Sequence, residues 1–371
     1  MIVYAGIDVH KDTNTICLYC RENNAKYELG KIPAGTEYVL KALRKAKKDF
    51  FAKEVIEWKV GYEAGPTGYG LCKGLIKRGV NCQIMAPTTI IRASGKKTKT
   101  DRRDAADLAM ALANDTYKAV HLLDDEDIAT REITRLRGAV VKKIKREKQN
   151  LLSFLLRLGK TYPEAGNYWT LKHWAWLDTL ILDDEVLHYS LKTYITELKN
   201  SLDVLERINA KIEGIAQTDR YRENVQKLVC FAGIQTHTAV SILCEIGDFV
   251  RFTSAEQFSS YIGIVPGQES SGLTQRYTGI TKTGNSRIRL LLIEAAQGIK
   301  NSSPYGKSKR LQLRQAQAEP DVVNYADRGS KRIRVKMDRL IKNGKKVNVA
   351  ITAGARELSC FVWGMMTGNI A

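Results

Sequence analysis

Ile2-Val3-Tyr4-Ala5-Gly6-Ile7-Asp8-Val9 is an apolar run broken near its end by a carboxylate, and the segments that follow it set the fold. It reads as a buried strand, with residues 14–20 and 25–32 as two more and polar turns at Asp12 to Asn14 and Glu22 to Asn24 between them. Three strands joined by short turns form a meander. Thr36 then opens a helical stretch to about Phe50, Glu57 to Glu63 is a further strand, Pro66 to Lys77 a helix, and Val80 to Met85 a last strand before Pro87.

Three strands followed by alternating helix and strand is the order of ribonuclease-H-like domains, an analogy of fold that says little of function by itself. Function enters through four carboxylates in a basic chain. Asp8 lies in Gly6-Ile7-Asp8-Val9-His10-Lys11, Glu63 in Gly61-Tyr62-Glu63-Ala64-Gly65, and Asp101 and Asp104 in Lys99-Thr100-Asp101-Arg102-Arg103-Asp104. Asp8 ends the first strand and Glu63 the fourth, which brings both to one rim of the sheet. Asp101 and Asp104, three apart at a helix start, share a face.

Carboxylates this close repel and raise one another's pKa unless cations intervene. Mg²⁺ suits such hard oxygen ligands, with Mn²⁺ as the alternative. Two ions about 4 Å apart would clamp the attacking and leaving oxygens of a phosphodiester. Asp107 reads as a solvated helix residue. Arg92, Lys96, Lys97, Lys99, Arg102 and Arg103 crowd Asp101 and match an anionic strand in sign. Lys11 is a candidate phosphate contact, and His10 reads as a surface or structural residue.

The 371 residues carry 59 Lys and Arg against 40 Asp and Glu, a net charge of +19. A surplus that large favours polyanions, because Lys and Arg contacts to phosphates release condensed counterions. The length allows two or three domains. No stretch approaches the uninterrupted apolar length of a membrane span, and the chain opens directly on a strand, so export and membrane insertion are not expected and the cytoplasm is. Seven cysteines at scattered positions form no disulfide framework. Cys17 and Cys20 would point to opposite faces of a strand, which favours packing over a metal or redox pair.

From about Asp127 to Leu158 apolar residues recur at helical spacing, and between Arg131 and Lys160 ten basic residues face two acidic ones. That surplus marks Arg135, Lys142, Lys143, Lys145 and Arg146 as nucleic-acid contacts. Leu187 to about Ile215 places Leu191, Ile195, Leu198, Leu202, Leu205 and Ile212 on a coiled-coil seam, with Asn209 at a position where a polar residue can fix register. Tyr168, Trp169, Trp174 and Trp176 between the helices read as core or dimer packing.

Residues 228–234 and 238–243 read as helix, glycine turn, helix, a shape that can grip a nucleic-acid backbone through turn amides. Lys307 to Lys346, with thirteen basic and four acidic residues, reads as a basic extension that orders on nucleic acid.

The remaining constellation is Pro266-Gly267-Gln268-Glu269-Ser270-Ser271-Gly272, followed by Thr281-Lys282-Thr283-Gly284-Asn285 and Arg287-Ile288-Arg289. No conventional hydrolase triad fits. A Ser-Gly pair in a loop is ordinarily a turn, and a serine attacking a phosphodiester beside a metal and cations is the other reading.

Taken in order, these motifs resemble the DEDD transposases of the insertion-sequence 110 and 1111 group over nearly the whole chain. The resemblance rests on Asp8 with Lys11, Glu63 with Gly65 to Tyr69, Asp101 with Asp104, Gly233 to Ala239, Glu245 to Asp248, Phe252 to Phe258, Gly263 to Pro266 with Ser271-Gly272, and Lys282 to Arg289. It implies a RuvC-like domain at 1–125, a coiled-coil dimerisation region at 126–220 and a mostly helical C-terminal transposase domain at 221–371. It further implies Asp8, Glu63, Asp101 and Asp104 as Mg²⁺ ligands and Ser271 as nucleophile, with Ser270 as rival.

The group implies partners as well: donor and target DNA, a structured guide RNA, and a homodimer that could pair into a tetramer. Lys282, Arg287 and Arg289 would bind nucleic acid, and Ser271 would form a phosphoserine link that a second strand reverses. Cys244, Ile288 and the basic stretch after Pro304 depart from the group's pattern. The competing readings are a junction nuclease using water and a non-catalytic nucleic-acid scaffold. An actin-like sugar kinase also begins with Gly-Ile-Asp, but the charge and the missing glycine-rich phosphate loops oppose it.

Overall fold

The computed structural model describes residues 1–90, 100–164, 166–271 and 274–370, with only the backbone described at 270, 271, 274 and 275. Its residues form two compact units, Met1–Leu122 and Leu123–Ala371. The boundary expected at 220/221 falls inside the second.

The first unit is a five-stranded sheet built from β1 (Ile2–Val9), β2 (Thr13–Cys20), β3 (Ala25–Pro33), β4 (Glu57–Glu63) and β5 (Asn81–Met85), in the order β3-β2-β1-β4-β5. β1, β2 and β3 pair antiparallel as the expected meander, and β4 and β5 add parallel to β1. Alternation along β1 assigns the two faces. Val3, Ala5 and Ile7 enter the core under α1 (Thr36–Phe50) and α2 (Gly70–Ile76), beside Val39, Leu43 and Leu75. Tyr4 belongs to the cluster on the opposite face, with Leu108, Ala109 and Leu112 of α3 (Asp101–Asn114). Cys17 and Cys20 do face opposite ways: Cys17 pairs with Gly6, Cys20 with Val3, and burial pushes the Cys17 thiol up to about 11. The segment expected to be helical from Pro66 begins helix only at Gly70.

The second unit is mostly helical. Its frame is α4 (Asp125–Arg157) and α6 (Glu185–Ala216), joined through α5 (Leu171–Thr179). Asp124 and Asp184 start the long helices by accepting from the amides of Asp127 and Leu187, at 2.8 Å each. The helices run antiparallel, since Arg137 reaches Asn209 while the rings of Phe154 and Tyr194 lie 5.2 Å apart.

The residues expected on a coiled-coil seam find packing partners within the chain. Leu191, Ile195 and Leu198 pack on Ile144, Leu151, Phe154 and Leu155 of the same chain, so the seam is an intramolecular contact. Asn209, expected to set register, accepts from Arg137 Nε at 2.7 Å. The aromatic segment closes on itself too. Tyr162, Tyr168, Trp169 and Trp176 surround the fully buried His173.

Beyond α6 come α7 (Arg222–Leu228), α8 (Thr236–Ile246), α9 (Ala255–Ile262), the hairpin β6 (Pro266–Ser271) and β7 (Thr274–Ile280), then α10 (Ser286–Asn301), α11 (Lys309–Gln315), α12 (Pro320–Lys342) and α13 (Val347–Thr367). The glycine turn between α7 and α8 is packed against protein. A Cβ on Gly233 would stand 1.9 Å from the Ala295 carbonyl oxygen, and the carbonyls of Val229 and Cys230 accept from Arg314 and Gln315. The basic stretch 307–346 is likewise folded: Val322, Tyr325, Ala326, Ile333 and Met337 of α12 are buried in the unit's main core. The basic residues of α12 lie on its outer face, opposite the buried stripe, the pattern that a run read by charge alone conceals. No helix among the described residues is long and apolar enough to cross a membrane.

Candidate functional site

The site grows from the sheet's register. Ile7 of β1 pairs with Tyr62 of β4, so Asp8, last but one in β1, and Glu63, last in β4, stand side by side at the same rim. Both lie on the α3 side. What lets α3 come down on that face is Gly6, where a Cβ would stand 2.1 Å from the Ala105 carbonyl oxygen and 2.3 Å from the Ala109 amide nitrogen. Those separations are shorter than any side chain tolerates. The first turn of α3, capped by the Thr100 hydroxyl, is thereby held over the end of β1 and carries Asp101 and Asp104 to the rim.

Three donor atoms converge there. Asp8 Oδ2 lies 3.2 Å from His10 Nε2, which lies 3.8 Å from Asp101 Oδ1. The Asp8, His10 and Asp101 donors all fall within 4.8 Å of one another. Lys31 of β3 stands 4.0 Å from Asp101 Oδ2. Burial pushes the Asp8 carboxyl above its ordinary value, the His10 ring pulls it down, and the charges of Asp104 and Asp101 push it up again. Raising by like charge is what a divalent cation would relieve, and hard oxygen donors with one imidazole are a ligand set that such an ion accepts. The residues present therefore fit a divalent metal.

His10 is the member that the sequence pattern marks only as a surface or structural residue. A signal for it exists, because a residue two positions after Asp8 at a strand end returns to the same side. The turn that bends it back is held by His10 N donating to the Thr13 carbonyl at 2.9 Å. Lys11 is exposed, Arg102 faces Glu28 at 3.6 Å, and Arg103 is exposed on α3. Arg92, Lys96, Lys97 and Lys99 lie outside the described residues.

Ser271 stands in the second unit, at the end of β6 opposite Thr274, where the sequence suggested a loop; Ser270 pairs with Gln275. Gly272 lies outside the described residues. The base of this hairpin is pinned: Lys282 N donates to Gly263 O at 3.0 Å, and Arg289 Nη1 donates to Ile262 O at 2.6 Å and to Thr283 O at 3.1 Å. Arg289 thus holds the hairpin to α9.

Arg135 and Arg287 also serve the fold. Glu245 of α8, with 1 % of its side chain exposed, accepts from Arg135 Nε at 2.8 Å and Nη2 at 3.1 Å and from Asn285 Nδ2 at 3.0 Å, with Arg287 Nε at 3.8 Å. Arg287 further donates to the Thr134 carbonyl. Lys142, Lys143, Lys145 and Arg146, by contrast, are exposed on α4, with Lys143 facing Glu147 at 3.5 Å. Lys282 is exposed, in a left-handed backbone conformation.

Comparison with known proteins accords with both units. The IS110-type DEDD transposase family model matches residues 5–159, and the model described as the transposase IS116/IS110/IS902 family matches residues 225–310. The transposase for insertion sequence element IS1533 of Leptospira borgpetersenii is 33 % identical over 356 residues, covering 93 % of this chain and 98 % of that protein. The putative transposase y4qE of Sinorhizobium fredii is 31 % identical over 363 residues, 98 % of this chain and 88 % of its own. The transposase for IS1111A of Coxiella burnetii is 24 % identical over 302 residues, 79 % and 77 %. With matches of that reach falling on the carboxylate unit and on the segment that holds the hairpin, the chain belongs to the IS110/IS1111 family of insertion-sequence transposases.

Proposed function

We propose that this transposase cuts and rejoins DNA through a divalent-metal site at the rim of its first unit and a serine nucleophile, Ser271, on the hairpin of its second. The observation that carries the reading is the convergence of Asp8 and Asp101 on one point with Asp104 close enough to raise Asp8. Asp8, Glu63, Asp101 and Asp104 are the residues to hold Mg²⁺ or Mn²⁺, in a RuvC-like domain. The ion's chemistry is to offset charge that develops on phosphate oxygens.

The chain's own part is to form and release a covalent link. Ser271 Oγ bonds to a strand phosphorus as it loses its proton, and the strand oxygen on that phosphorus leaves as a hydroxyl. A hydroxyl of a second strand then displaces the serine, returning the proton to Oγ. The phosphodiester energy is conserved, and no nucleotide triphosphate is needed. Sequence choice is delegated to a structured guide RNA that pairs with donor and target DNA. The exposed cations Lys142, Lys143, Lys145, Arg146, Lys11, Arg102, Arg103 and Lys282 hold backbones without reading bases. Self-association into a dimer or tetramer uses a face other than the α6 seam, for which exposed Val186 and Tyr189 on α6 and Leu136 and Leu156 on α4 are available. The site of action is the prokaryotic cytoplasm.

The test is to incubate the protein and its copurifying RNA with supercoiled donor plasmid and Mg²⁺, then look for a protein–DNA adduct after denaturation. The adduct is expected from the unaltered protein and from Ser270→Ala, and not from Ser271→Ala. Cleavage that persists in Ser271→Ala without an adduct would instead establish water as nucleophile. Cleavage untouched by Asp8→Asn would make the carboxylates structural.

A further inference from the structure

An imidazole stands among the carboxylates of the rim, within reach of both Asp8 and Asp101. We infer that His10 is itself a metal ligand, completing with Asp8 and Asp101 a mixed nitrogen and oxygen set that selects Mn²⁺ over Mg²⁺. The inference rests on the proposal that the rim binds a divalent ion, and goes beyond it by naming a fifth residue and the class of ion preferred.

The spacing of the donors is the first argument. Two donors bound to one ion at about 2.1–2.2 Å stand about 3.0 Å apart at a right angle and about 3.7 Å apart at 120°. His10 Nε2 lies 3.2 Å from Asp8 Oδ2 and 3.8 Å from Asp101 Oδ1, near those two separations. All three donor atoms fall within 4.8 Å of one another, so small side-chain movements bring them onto one ion. His10 is about half exposed, at 51 % of its side chain.

Ligand chemistry is the second argument. Mg²⁺ favours an all-oxygen shell, whereas imidazole nitrogen is a good ligand for first-row transition ions. Exchanging one oxygen ligand for imidazole therefore shifts preference toward Mn²⁺, and further toward Zn²⁺, without excluding Mg²⁺ from the carboxylates. The competing role for His10 is a hydrogen-bond partner that orients Asp8. Glutamine could retain such a bond through its amide, but it lacks a ring nitrogen to coordinate an ion.

Mn²⁺ is the probe, bound to the full-length protein and followed by electron paramagnetic resonance, with Mg²⁺ as competitor and circular dichroism melts to confirm folding of each variant. Pulsed spectra of the unaltered protein are expected to show an imidazole nitrogen coupled to the ion. That coupling should vanish in His10→Ala and in His10→Gln, and the Mn²⁺ over Mg²⁺ preference should fall about tenfold in both. An unchanged preference in folded His10→Ala, no nitrogen coupling in the unaltered protein, or recovery of the preference in His10→Gln would overturn the inference. Failure of the underlying proposal looks different: Mn²⁺ would then bind Asp8→Asn together with Asp101→Asn as well as it binds the unaltered protein.

Discussion

Two carboxylates of this molecule sit among cations and come to opposite ends. Glu245 is buried, accepts from Arg135 and Asn285, and has Arg287 beside it, tying α8 to α4 and α10. Asp8 has 21 % of its side chain exposed, and its carboxyl is pushed up first by burial and then, against the pull of His10, by the charges of Asp104 and Asp101. The first arrangement is saturated, with no place for a ligand. The second sets like charges side by side, a repulsion that a bound cation would relieve. A basic sequence context therefore does not identify a functional acid; incomplete compensation does.

The comparison breaks most sharply in activity. Asp8→Asn is expected to lower strand cleavage in the plasmid assay by about 10²–10³-fold or more, because several kcal/mol of transition-state charge stabilisation depend on the ion it would bind. Its melting temperature should stay the same or rise slightly, since a carboxylate whose charged form is disfavoured by folding is being removed.

Glu245→Ala should do the reverse to stability. It strands Arg135 and Arg287 beside a buried gap, at about 3–5 kcal/mol, which lowers the melting temperature of the second unit by roughly 10 °C in calorimetry. A melting curve unchanged in Glu245→Ala would show that the clamp is dispensable.

The same clamp bears on pH. His237 of α8 is held down to about 4 by burial first and then by the charges of Arg137 and Arg287. A depressed folded value means that the neutral ring is the stabilising form. Its contribution, at most about 3 kcal/mol, is present above pH 6.5 and is lost as pH falls toward 4. Urea denaturation at pH 7 and at pH 4.5 checks this, and His237→Gln should remove that part of the difference.

The smallest stability effect belongs to cations with neither role. Replacing Lys142, Lys143, Lys145 and Arg146 together by Ala should change unfolding free energy by no more than about 0.5 kcal/mol each. The salt dependence of DNA binding should flatten, by about 0.7–0.9 in slope for each phosphate that the variant no longer neutralises. An unchanged slope would remove this face of α4 from the nucleic-acid surface.

Much of the fold is legible in local pattern. The meander, β4 and the two long helices lie within about two residues of their expected bounds, because alternation in a strand and recurrence in a helix are properties of neighbouring residues. Partner choice is another matter. The α6 seam carries a heptad pattern that would suit a second copy equally well, and only its packing on α4 shows the contact to be internal. Charge misleads in the same way at 307–346, where α12 buries one face while its basic residues fill the other. His10 is hidden in the sequence because the default for an isolated histidine outweighs the two-residue spacing from Asp8.

By itself the sequence determined the strands, the long helices, the family motifs and the four carboxylates. Those depend on residue type and short spacing. The tertiary structure decided that Gly6 lets α3 reach the rim, that His10 joins Asp8 and Asp101, and that Arg135 serves Glu245 across a separation of 110 residues. The physical reason is that desolvation and charge compensation depend on which distant groups fold together, and an isolated stretch of chain carries neither.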